Sequence, residues 1–389
     1  MKKKIAFVIQ RYGLEVNGGS ELSCRLIAER LTNDYDVEII TSKAIDYVTW
    51  KNEYTENIEV INSVTVRRFS VTSPRDNIKF DKINTRMLTQ SHSIHEEYDW
   101  MENMGPHVPD LLTHLEQHKD SYDKIIYYTY LYYPTYFGIH IAPEKSIFVP
   151  TAHDEPYIYL NMFNSEFNLP KYLLFLTQEE KHFVQKRFNN AHIQNDVIGI
   201  GVDCPDELYS KQNIMEKYNL PEDYIIYAGR IDESKGCKEM LNYYMQYIEN
   251  VPNAPQLVLI GKAAMDIPNN PKIRPLGFVN EKEKYSFMKY AKALIMPSQY
   301  ESFSMVVIES LSLEVPVVVN AKCDVLVGHC VRSNGGLYYN NVHEFAAAIE
   351  YIIRNPEVSS QMGVNGKLYV DSNYSWDVII TKFKDAIES

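Results

Sequence analysis

The sequence predicts an α/β protein with two domains, each built on a doubly wound, Rossmann-like parallel sheet. Its 389 residues exceed the length of about 150 residues that is typical of one domain. Short apolar runs recur along the chain, as expected for parallel strands covered on both faces, and polar or helical stretches separate them. This alternation indicates parallel sheets with right-handed crossovers. The pattern restarts at residue 224, which predicts a second sheet.

The composition is that of a folded, acidic protein. Hydrophobic residues make up 45% and charged residues 23% of the chain, which excludes a disordered protein. The formal net charge of -12 argues against nucleic acid as a partner but permits a local basic site for one phosphorylated ligand. The five cysteines are scattered and form no C-x-x-C pair, so we expect reduced thiols and neither disulfides nor a zinc site.

The first domain is expected over residues 1–200, and its strands are predicted at residues 5–9, 37–40, 124–127, 146–149 and 196–199. The first strand leads into a loop with Gly18 and Gly19, and a helix is expected over residues 21–31 with Ser20 as its cap. The tyrosine-rich tract at residues 127–136 is expected to fill core more than to stack on a ligand. Residues 86–118 look helical but are less periodic, and no element is assigned there.

The second domain is expected over residues 201–370, and its strands are predicted at residues 224–227, 257–260, 293–296 and 315–319. Residues 371–389 are expected to form a helix that packs back on the first domain. Ligands of open parallel sheets bind beyond the carboxyl ends of the strands. The two domains are therefore expected to face each other across a central cleft.

The segment 297–320 (PSQYESFSMVVIESLSLEVPVVVN) contains two glutamates, Glu301 and Glu309, between two strands. If residues 302–313 form a helix, the two carboxylates lie about 12 Å apart along its axis. The N-terminus of that helix would offer unpaired backbone N–H groups from about Phe303 to Val306, which suit a phosphate or diphosphate. Carboxylates on either side of an anion site suggest a ligand with hydroxyls at both ends, such as a nucleoside diphosphate sugar.

A second segment, YAGRIDESKGCK at residues 227–238, supplies cations between a strand and a helix. Arg230 and Lys235 could be ordinary surface charges, but strand-to-helix loops are where such sheets collect ligands. Breaking a sugar–phosphate bond leaves extra negative charge on the diphosphate, and cations placed beforehand stabilise that charge. An ion pair at 4 Å contributes about 4 kcal/mol at an effective dielectric of about 20. We therefore interpret both residues as catalytic.

Together these motifs resemble family 4 glycosyltransferases of the GT-B fold, whose hallmark is E-x7-E in the second domain. The resemblance covers nearly the whole chain. The motifs that carry it are the glycines at 18 and 19, G-R-x4-K-G at residues 229–236, P-S-x2-E-S-F from residue 297, E-x7-E at residues 301 and 309, and the closing helix with Tyr374, Ser375 and Trp376.

The resemblance implies a role for each candidate residue of the donor site. In such enzymes the arginine and lysine clamp the donor diphosphate, the first glutamate contacts the transferred sugar and the second the ribose. Backbone groups near Phe278 and Val279 would contact the base. The donor-binding residues implied are Gly18, Gly19, Arg230, Lys235, Phe278, Val279, Glu301, Phe303, Ser304, Met305, Val306 and Glu309.

The segment TAHDEP at residues 151–156 follows a strand of the first domain. Many members of the family place a histidine or acidic residue there, beside the transferred sugar, and His153 is the candidate here. The alternative is that His153 caps the next helix. In the catalytic interpretation His153 would hydrogen-bond the sugar or steady developing charge, and would not act as a nucleophile. No role is assigned to residues 323–330.

The resemblance implies a retaining, metal-independent hexosyl transfer from a UDP- or GDP-sugar to a hydroxyl of a glycan or lipid-linked acceptor, as in surface polysaccharide synthesis. No cofactor or nucleic acid is expected. The chain has no stretch of about 18 apolar residues and no recognisable signal peptide, so we expect a cytoplasmic protein with any membrane contact peripheral, at the inner face. Two alternatives stay open: a nucleotide-sugar 2-epimerase and a non-catalytic sugar-nucleotide-binding subunit.

Overall fold

The structure, a computed structural model, describes residues 2–16 and 18–389. The chain divides into two compact units: unit 1 comprises Met1–Gly199 and Ile380–Ser389, and unit 2 comprises Ile200–Ile379. Each unit contains one sheet, and parallel pairing dominates both, so the predicted α/β class with two parallel sheets is confirmed. The chain returns to unit 1 at residue 380, nearer to the C-terminus than the expected residue 371.

Within the described residues, an eight-stranded sheet forms the centre of unit 1. Its strands are β1 (Lys4–Val8), β2 (Asp36–Ser42), β3 (Ile58–Ile61), β4 (Val64–Phe69), β5 (Lys124–Tyr128), β6 (Ser146–Val149), β7 (Tyr172–Phe175) and β8 (Gln194–Val197). They lie in the order β3-β4-β2-β1-β5-β6-β7-β8, and β3 pairs antiparallel with β4 while the other pairs are parallel. The chain moves outward from β1 on one side and from β5 on the other, which places the topological switch point between these two strands.

Unit 1 contains the helix predicted after the first strand and also helices in residues 86–118, where no element was assigned from the sequence. The helices of unit 1 are α1 (Gly19–Leu31), α2 (Asn77–Thr89), α3 (Ile94–Met104), α4 (Pro109–His118), α5 (Tyr133–Ile139), α6 (Phe163–Glu166) and α7 (Gln178–Phe188). Residues 86–118 thus contain the end of α2, all of α3 and α4, and the short loops between these helices. Side-chain caps define some of their ends: Asp76 accepts from the backbone of Lys79, and Ser93 and Glu96 form a capping box.

The expected start of the first helix was wrong. Helix α1 begins at Gly19, with Gly18 at the N-cap, and the Leu22 amide donates to the Gly18 carbonyl at 2.9 Å. The Ser20 hydroxyl donates to Glu21 Oε2 at 2.9 Å, so it does not cap the helix. The helix thus begins one residue before Ser20, which lies in its first turn.

The tyrosine-rich tract fills the core of unit 1, as the sequence favoured. Tyr127, Tyr130, Tyr133 and Tyr136 are all buried in one apolar cluster with residues of α3, α4 and α6. Three of the hydroxyls have partners inside the protein: Tyr127 donates to the Gly138 carbonyl at 2.7 Å, Tyr130 donates to Glu155 Oε1 at 2.5 Å, and the Tyr136 hydroxyl lies 3.4 Å from that of Ser165. Buried tyrosines of this kind pack like phenylalanine and need such a partner for the hydroxyl.

Unit 2 is built on a six-stranded parallel sheet in the order β11-β10-β9-β12-β13-β14, as far as the described residues show. Its strands are β9 (Tyr224–Ala228), β10 (Gln256–Ile260), β11 (Ile273–Gly277), β12 (Leu294–Met296), β13 (Val317–Asn320) and β14 (Gly336–Tyr339). The remaining helices are α8 (Lys211–Tyr218), α9 (Cys237–Asn250), α10 (Glu281–Tyr290), α11 (Met305–Ser312), α12 (Asp324–Ser333), α13 (Val342–Arg354), α14 (Pro356–Asn373) and α15 (Trp376–Glu388).

A buried carboxylate, Glu38 on β2, joins neighbouring elements of unit 1. It is 2% exposed and accepts from Lys4 Nζ at 2.9 Å, Arg67 Nε at 2.7 Å and the Tyr122 hydroxyl at 2.9 Å. Burial alone would raise its pKa, but the three donors outweigh burial and lower the pKa of Glu38 below its usual value. The charged form of Glu38 therefore stabilises the sheet.

We expect Glu38→Gln to lower the free energy of unfolding at pH 7 by about 1–3 kcal/mol, because two cations lose a charged acceptor. The folded pKa of Glu38 is depressed, so its contribution is present above the unfolded pKa of about 4.3 and is lost as pH falls through the folded pKa. Urea unfolding from pH 7 to pH 3 should show the two proteins converging in acid. Asp36→Asn, on the exposed end of β2, is the matched control; a deficit of Glu38→Gln that did not depend on pH would contradict the assignment.

Candidate functional site

The loops that carry Arg230, Lys235 and Glu301 leave the sheet of unit 2 at its topological switch point. The chain runs from β9 outward through β10 to β11, and then returns to β12, which pairs with β9. The loops after β9 (residues 229–236) and after β12 (residues 297–304) therefore leave the same edge from neighbouring strands. In open parallel sheets, this is the place where a crevice for a ligand forms.

A glycine allows these two loops to approach each other. Gly236 has φ 74, which few other residues adopt without strain. A Cβ at this position would lie 2.3 Å from the carbonyl oxygen of Pro297. Asn320 at the end of β13 holds the same carbonyl by donating from Nδ2 at 3.0 Å. The close approach therefore requires glycine, and it fixes Lys235 beside the loop that carries Glu301.

Lys235 and Glu301 form an ion pair across these loops. Lys235 Nζ lies 2.8 Å from Glu301 Oε1, and the two side chains are 37% and 14% exposed. The structure thus brings together the first glutamate of the motif and one of the two predicted cations. Because the lysine is partly exposed, an incoming anion can contact it without prior opening of the fold.

Arg230 lies in the loop after β9 and is held by an acidic neighbour that the sequence analysis missed. Its Nε pairs with Asp232 Oδ2, and its Nη2 lies 3.4 Å from the Ser234 hydroxyl. Burial would raise the pKa of Asp232, but the Ser234 hydroxyl, the Lys235 amide and Arg230 together lower it. Asp232 is therefore charged and orients Arg230. The R-x-D spacing at the start of the loop was the available signal.

Glu309, the second glutamate of the motif, is paired with a lysine from another helix. Its Oε1 lies 3.1 Å from Lys284 Nζ of α10, and the side chains are 7% and 20% exposed. Burial would lower the pKa of Lys284, but Glu309 and Glu281 raise it above its usual value. Lys284 therefore stays charged beside Glu309. Sequence analysis missed it because the two residues lie 25 positions apart.

The helix that follows Glu301 is shorter than expected. Helix α11 begins at Met305 and not at residue 302, because Ser304 has φ 67, a left-handed conformation that a helix cannot include. The amides of Val307 and Ile308 donate to the Ser304 carbonyl. Of the backbone N–H groups expected to be unpaired at the helix start, those of Met305 and Val306 therefore lie in the first turn. The Phe303 amide precedes the helix.

The hydroxyl of Ser304 adds a polar group at this helix start. The residue is 7% exposed, and its Oγ has no hydrogen-bond partner in the part of the chain that the structure describes. A buried hydroxyl without a partner is unfavourable unless a ligand or water supplies one. Ser304 therefore fits the expected contact with phosphate or sugar.

A buried histidine of the segment left without a role holds the loop before α11. His329 in α12 is fully buried; its Nε2 lies 2.8 Å from the Phe303 carbonyl oxygen and its Nδ1 lies 3.1 Å from the Tyr369 hydroxyl. The Phe303 ring makes edge contacts with the rings of His329 and Tyr374. These contacts explain why Phe303 is buried and point to its backbone as the part available to a ligand.

The two residues expected near a base follow β11. Phe278 is 83% exposed whereas Val279 is buried. Exposed aromatic rings of this size are uncommon, and one beside the carboxyl end of a parallel strand can stack on a planar group. The structure therefore favours the Phe278 ring over the Val279 side chain for such a contact.

The predicted residues of unit 1 lie at the carboxyl ends of its own strands. Gly18 precedes α1, and a Cβ there would lie 2.1 Å from Glu21 Oε2. The Glu21 carboxylate cannot easily move because it is buried and accepts from Gln10 and Arg11. Gly19, by contrast, has open space where a Cβ would be. The loop thus needs a glycine at 18, and a larger residue fits at 19.

His153 follows β6 and is partly exposed. Its Nε2 lies 3.5 Å from Glu155 Oε1, and Glu155 also accepts from the Tyr130 hydroxyl at 2.5 Å. The amide of the preceding Ala152 donates to buried Glu180 at 2.6 Å. Carboxylates therefore fix both the imidazole and the backbone next to it. This is the environment of an oriented, hydrogen-bonding histidine.

Comparison with known proteins supports a common architecture. Residues 210–369 match the family model described as Glycosyl transferases group 1. An uncharacterized glycosyltransferase of Methanocaldococcus jannaschii is 23% identical, with 99% of both chains covered. The trehalose synthase of Pyrococcus horikoshii is 27% identical over 43% of this chain and 44% of its own length.

Solved structures resemble the whole chain. Sucrose-phosphate synthase of Thermosynechococcus elongatus superposes with a TM-score of 0.72 at 15% identity, covering 100% of this chain and 98% of that one. Anabaena HepE in complex with UDP and glucose gives a TM-score of 0.70 at 15% identity, with 100% of both chains covered. At such low identity the likeness shows the fold alone, and this is the GT-B fold expected from the sequence.

Across residues 2–16 and 18–389, no helix is both long and apolar enough to cross a bilayer. The same residues contain no group of three or more His, Cys, Asp or Glu side chains placed to hold a metal ion.

We expect His329→Leu to lower the free energy of unfolding of the protein by about 1–3 kcal/mol, because it leaves the buried Phe303 carbonyl without a donor. His329→Gln is the matched variant: its amide can still donate to Phe303, so it should lose less. Urea unfolding followed by intrinsic fluorescence measures both. Equal stability of His329→Leu and the unaltered protein would show that the contact with Phe303 is not stabilising.

Proposed function

We propose that this protein is a retaining glycosyltransferase of the family 4 type, which moves a hexose from a UDP- or GDP-sugar to a hydroxyl acceptor. One observation carries the proposal: the Lys235–Glu301 pair lies at the sheet's switch point, next in sequence to a helix start with free amides and a buried, unpartnered hydroxyl at Ser304. Cations, amides and a carboxylate at one edge suit a diphosphate joined to a sugar.

The negative charge of the donor diphosphate determines which groups of the site would bind it. The diphosphate would accept from the amides of Met305 and Val306 and from the Ser304 hydroxyl, with Lys235 and Arg230 as counterions. As the sugar–phosphate bond breaks, negative charge grows on the departing diphosphate, so the two cations stabilise the transition state more than the bound donor. When Lys235 turns to phosphate, Glu301 becomes free to accept from a sugar hydroxyl.

The relatives support the choice of donor. HepE was solved in complex with UDP-glucose as well as with UDP, and the family model that matches residues 210–369 is that of glycosyl transferases. By analogy, Glu309 would accept from the ribose hydroxyls and Phe278 would lie against the base.

The chemistry proposed retains anomeric configuration and uses no metal or other cofactor. A departing phosphate oxygen would help remove the proton of the acceptor hydroxyl, while His153 would hydrogen-bond the transferred sugar. Gly18 and Gly19 would let the amides at the start of α1 approach phosphate. The acceptor would be a glycan or lipid-linked intermediate of surface polysaccharide synthesis, and the enzyme would work in the cytoplasm, at most peripherally bound to the membrane.

We expect Arg230→Ala and Glu301→Ala each to lower kcat by about 100- to 1,000-fold, since each removes one preorganised charge that faces the reacting diphosphate sugar. The measurement is release of nucleoside diphosphate from UDP- and GDP-sugars with a panel of glycan acceptors. Lys238→Ala is the control, because Lys238 lies in the same segment but pairs with exposed Glu233. Near-normal rates in both site variants, with the fold intact by circular dichroism, would refute the site.

We expect Lys284→Met to weaken nucleotide binding through the ribose. Lys284 holds Oε1 of Glu309 and would thereby orient the carboxylate to accept from a ribose hydroxyl; without Lys284 the buried carboxylate loses this orientation. The unaltered protein should bind UDP about 10- to 100-fold more tightly than 2′-deoxy-UDP, or GDP over its deoxy form, and Lys284→Met should narrow that ratio. Calorimetry gives both affinities.

Lys289→Met is the matched control for this experiment. Lys289 lies on the same helix and pairs with the exposed Glu314, so its loss should leave the ratio unchanged. A ratio that is the same in Lys284→Met and in the unaltered protein would mean that Lys284 does not orient Glu309 toward ribose.

A further inference from the structure

A cavity of about 340 Å³ opens in unit 1, on the side of the sheet that carries β4. Its walls come from the loop after β4, the first turn of α2, the end of α3 and the residues that follow. The volume lies within the range of about 300–1,000 Å³ typical of small-molecule sites. The polar side chains without a negative charge that line it are Thr72, Ser73, Arg75, Lys79, Asn103 and His107.

Arg75 is the most firmly held cation of this cavity. Its guanidinium lies 4.5 Å from the centroid of the Phe80 ring and 5.3 Å from that of Trp50. One of its terminal nitrogens donates to the Met104 carbonyl oxygen. The Nε atom is enclosed by protein and has no hydrogen-bond partner in the described chain. Arg75 is thus fixed in place. The enclosed Nε cannot meet a ligand, but Nη1 is not enclosed and makes no hydrogen bond within the described residues, so it can donate to one.

Among the described residues, neither cation of the cavity has a carboxylate within ion-pair distance, although Asp46 and Asp81 act on Arg75 from farther away. Within residues 2–16 and 18–389, Arg75 and Lys79 form no ion pair, although both line the same space. Most half-buried arginines have such a partner, because an uncompensated buried charge is unfavourable. An anion bound in the cavity would supply the missing charge.

The other side chains of the cavity suit hydroxyl groups. His107 Nδ1 lies 2.6 Å from the Thr72 hydroxyl oxygen, and the His107 ring packs edge-on against Tyr133 at 4.8 Å, so this wall is fixed. Ser73 and Asn103 offer a hydroxyl and an amide. Such neutral donors and acceptors hydrogen-bond polyols well.

Two carboxylates complete the wall. Asp76 lines the cavity and uses Oδ1 to cap α2 by accepting from the Lys79 amide at 3.1 Å. Glu102 lies at the end of α3 and is exposed. Carboxylates next to cations favour a ligand that is anionic at one end and rich in hydroxyls at the other, since each hydroxyl can donate to a carboxylate.

We propose that this cavity binds a sugar phosphate. Arg75 and Lys79 hold the phosphate, which carries about -1.5 to -2 charges at neutral pH. Ser73, Asn103 and Asp76 hydrogen-bond the sugar hydroxyls. The fixed arginine makes the anion site preorganised, so little ordering is needed when the ligand binds.

The role of this ligand, unlike its binding, rests on the proposed function. If the protein transfers a hexose, a phosphorylated sugar bound in unit 1 would be a second class of acceptor beside the glycan or lipid-linked intermediate, offering one of its hydroxyls. The reaction that supplies it would be phosphoryl transfer to a sugar hydroxyl by a kinase, because this transfer forms the phosphate monoester.

Isothermal titration of the full-length protein without nucleotide tests the binding. The probes are the 1- and 6-phosphates of glucose and mannose, with free glucose and inorganic phosphate as references. We expect saturable binding of at least one hexose phosphate, and binding at least about tenfold weaker for both references, because each lacks half of the contacts. Affinity for inorganic phosphate equal to that of the esters would overturn the assignment of a sugar phosphate.

Two lysines of α2 provide matched variants. Lys79→Met removes a cation that lines the cavity and should weaken hexose phosphate binding by about tenfold. Lys82→Met removes an exposed cation of the same helix that does not line it, and should change nothing. Arg75 is unsuitable as the main variant because it also braces the Met104 carbonyl. Lack of binding by every ester, or equal affinity of Lys79→Met and the unaltered protein, would overturn the proposal.

Binding of UDP, titrated separately, distinguishes this proposal from the donor site. Lys79→Met should bind UDP as the unaltered protein does. Hexose phosphate binding in a protein that binds no nucleotide would support the cavity and count against the proposed transferase. Nucleotide binding without hexose phosphate binding would support the donor site and overturn the proposal for the cavity.

Discussion

The close approach of two backbone segments at the switch point of unit 2 is the constraint on which the candidate site depends. Gly236 lies so near the Pro297 carbonyl that no side chain fits between them. This contact, and not the affinity of lysine for glutamate, positions Lys235 beside Glu301. A partly exposed ion pair contributes little to stability on its own. The positions of Lys235 and Glu301 are therefore determined by the backbone and not by their mutual attraction. The charges of the site are therefore set by local geometry that exists before any ligand arrives.

The two glutamates of the motif are both paired with lysines, but the pairs differ in burial. Lys235 and Glu301 are 37% and 14% exposed, whereas Lys284 and Glu309 are 20% and 7% exposed. Water screens the first pair more, so an anion can displace Glu301 from Lys235 at small cost. Removing Lys284 would leave Glu309 as a buried, uncompensated charge. The Lys235–Glu301 pair is thus suited to separate when a ligand binds, whereas the Lys284–Glu309 pair keeps the Glu309 carboxylate in one position.

Sequence alone could predict the parts of this molecule that depend on local patterns. The continuous apolar runs gave the central strands, and the loops holding Arg230, Lys235 and Glu301 follow from their place between strand and helix. The start of α11 could not be predicted, because serine rarely adopts the left-handed conformation that Ser304 has, and the contact of the neighbouring Phe303 with His329 joins residues 26 positions apart. Lys284 was missed for the same reason: nothing within a few residues of it indicates its partner. The β3–β4 hairpin was overlooked because its exposed edge strand lacks a continuous apolar run.

The contact between His329 and Phe303 shows how distant helices can set the geometry of the loop. A carbonyl oxygen only accepts, so His329 Nε2 must carry a proton; in the neutral ring Nδ1 then accepts from the Tyr369 hydroxyl. Arg332 Nε donates to the same hydroxyl oxygen at 3.2 Å, and the Tyr374 hydroxyl lies 2.9 Å from it. These hydrogen bonds connect α12 and α14 to the residue before Ser304. A loop held in this way presents its amides without reorganisation, and preorganised dipoles are what charge stabilisation requires.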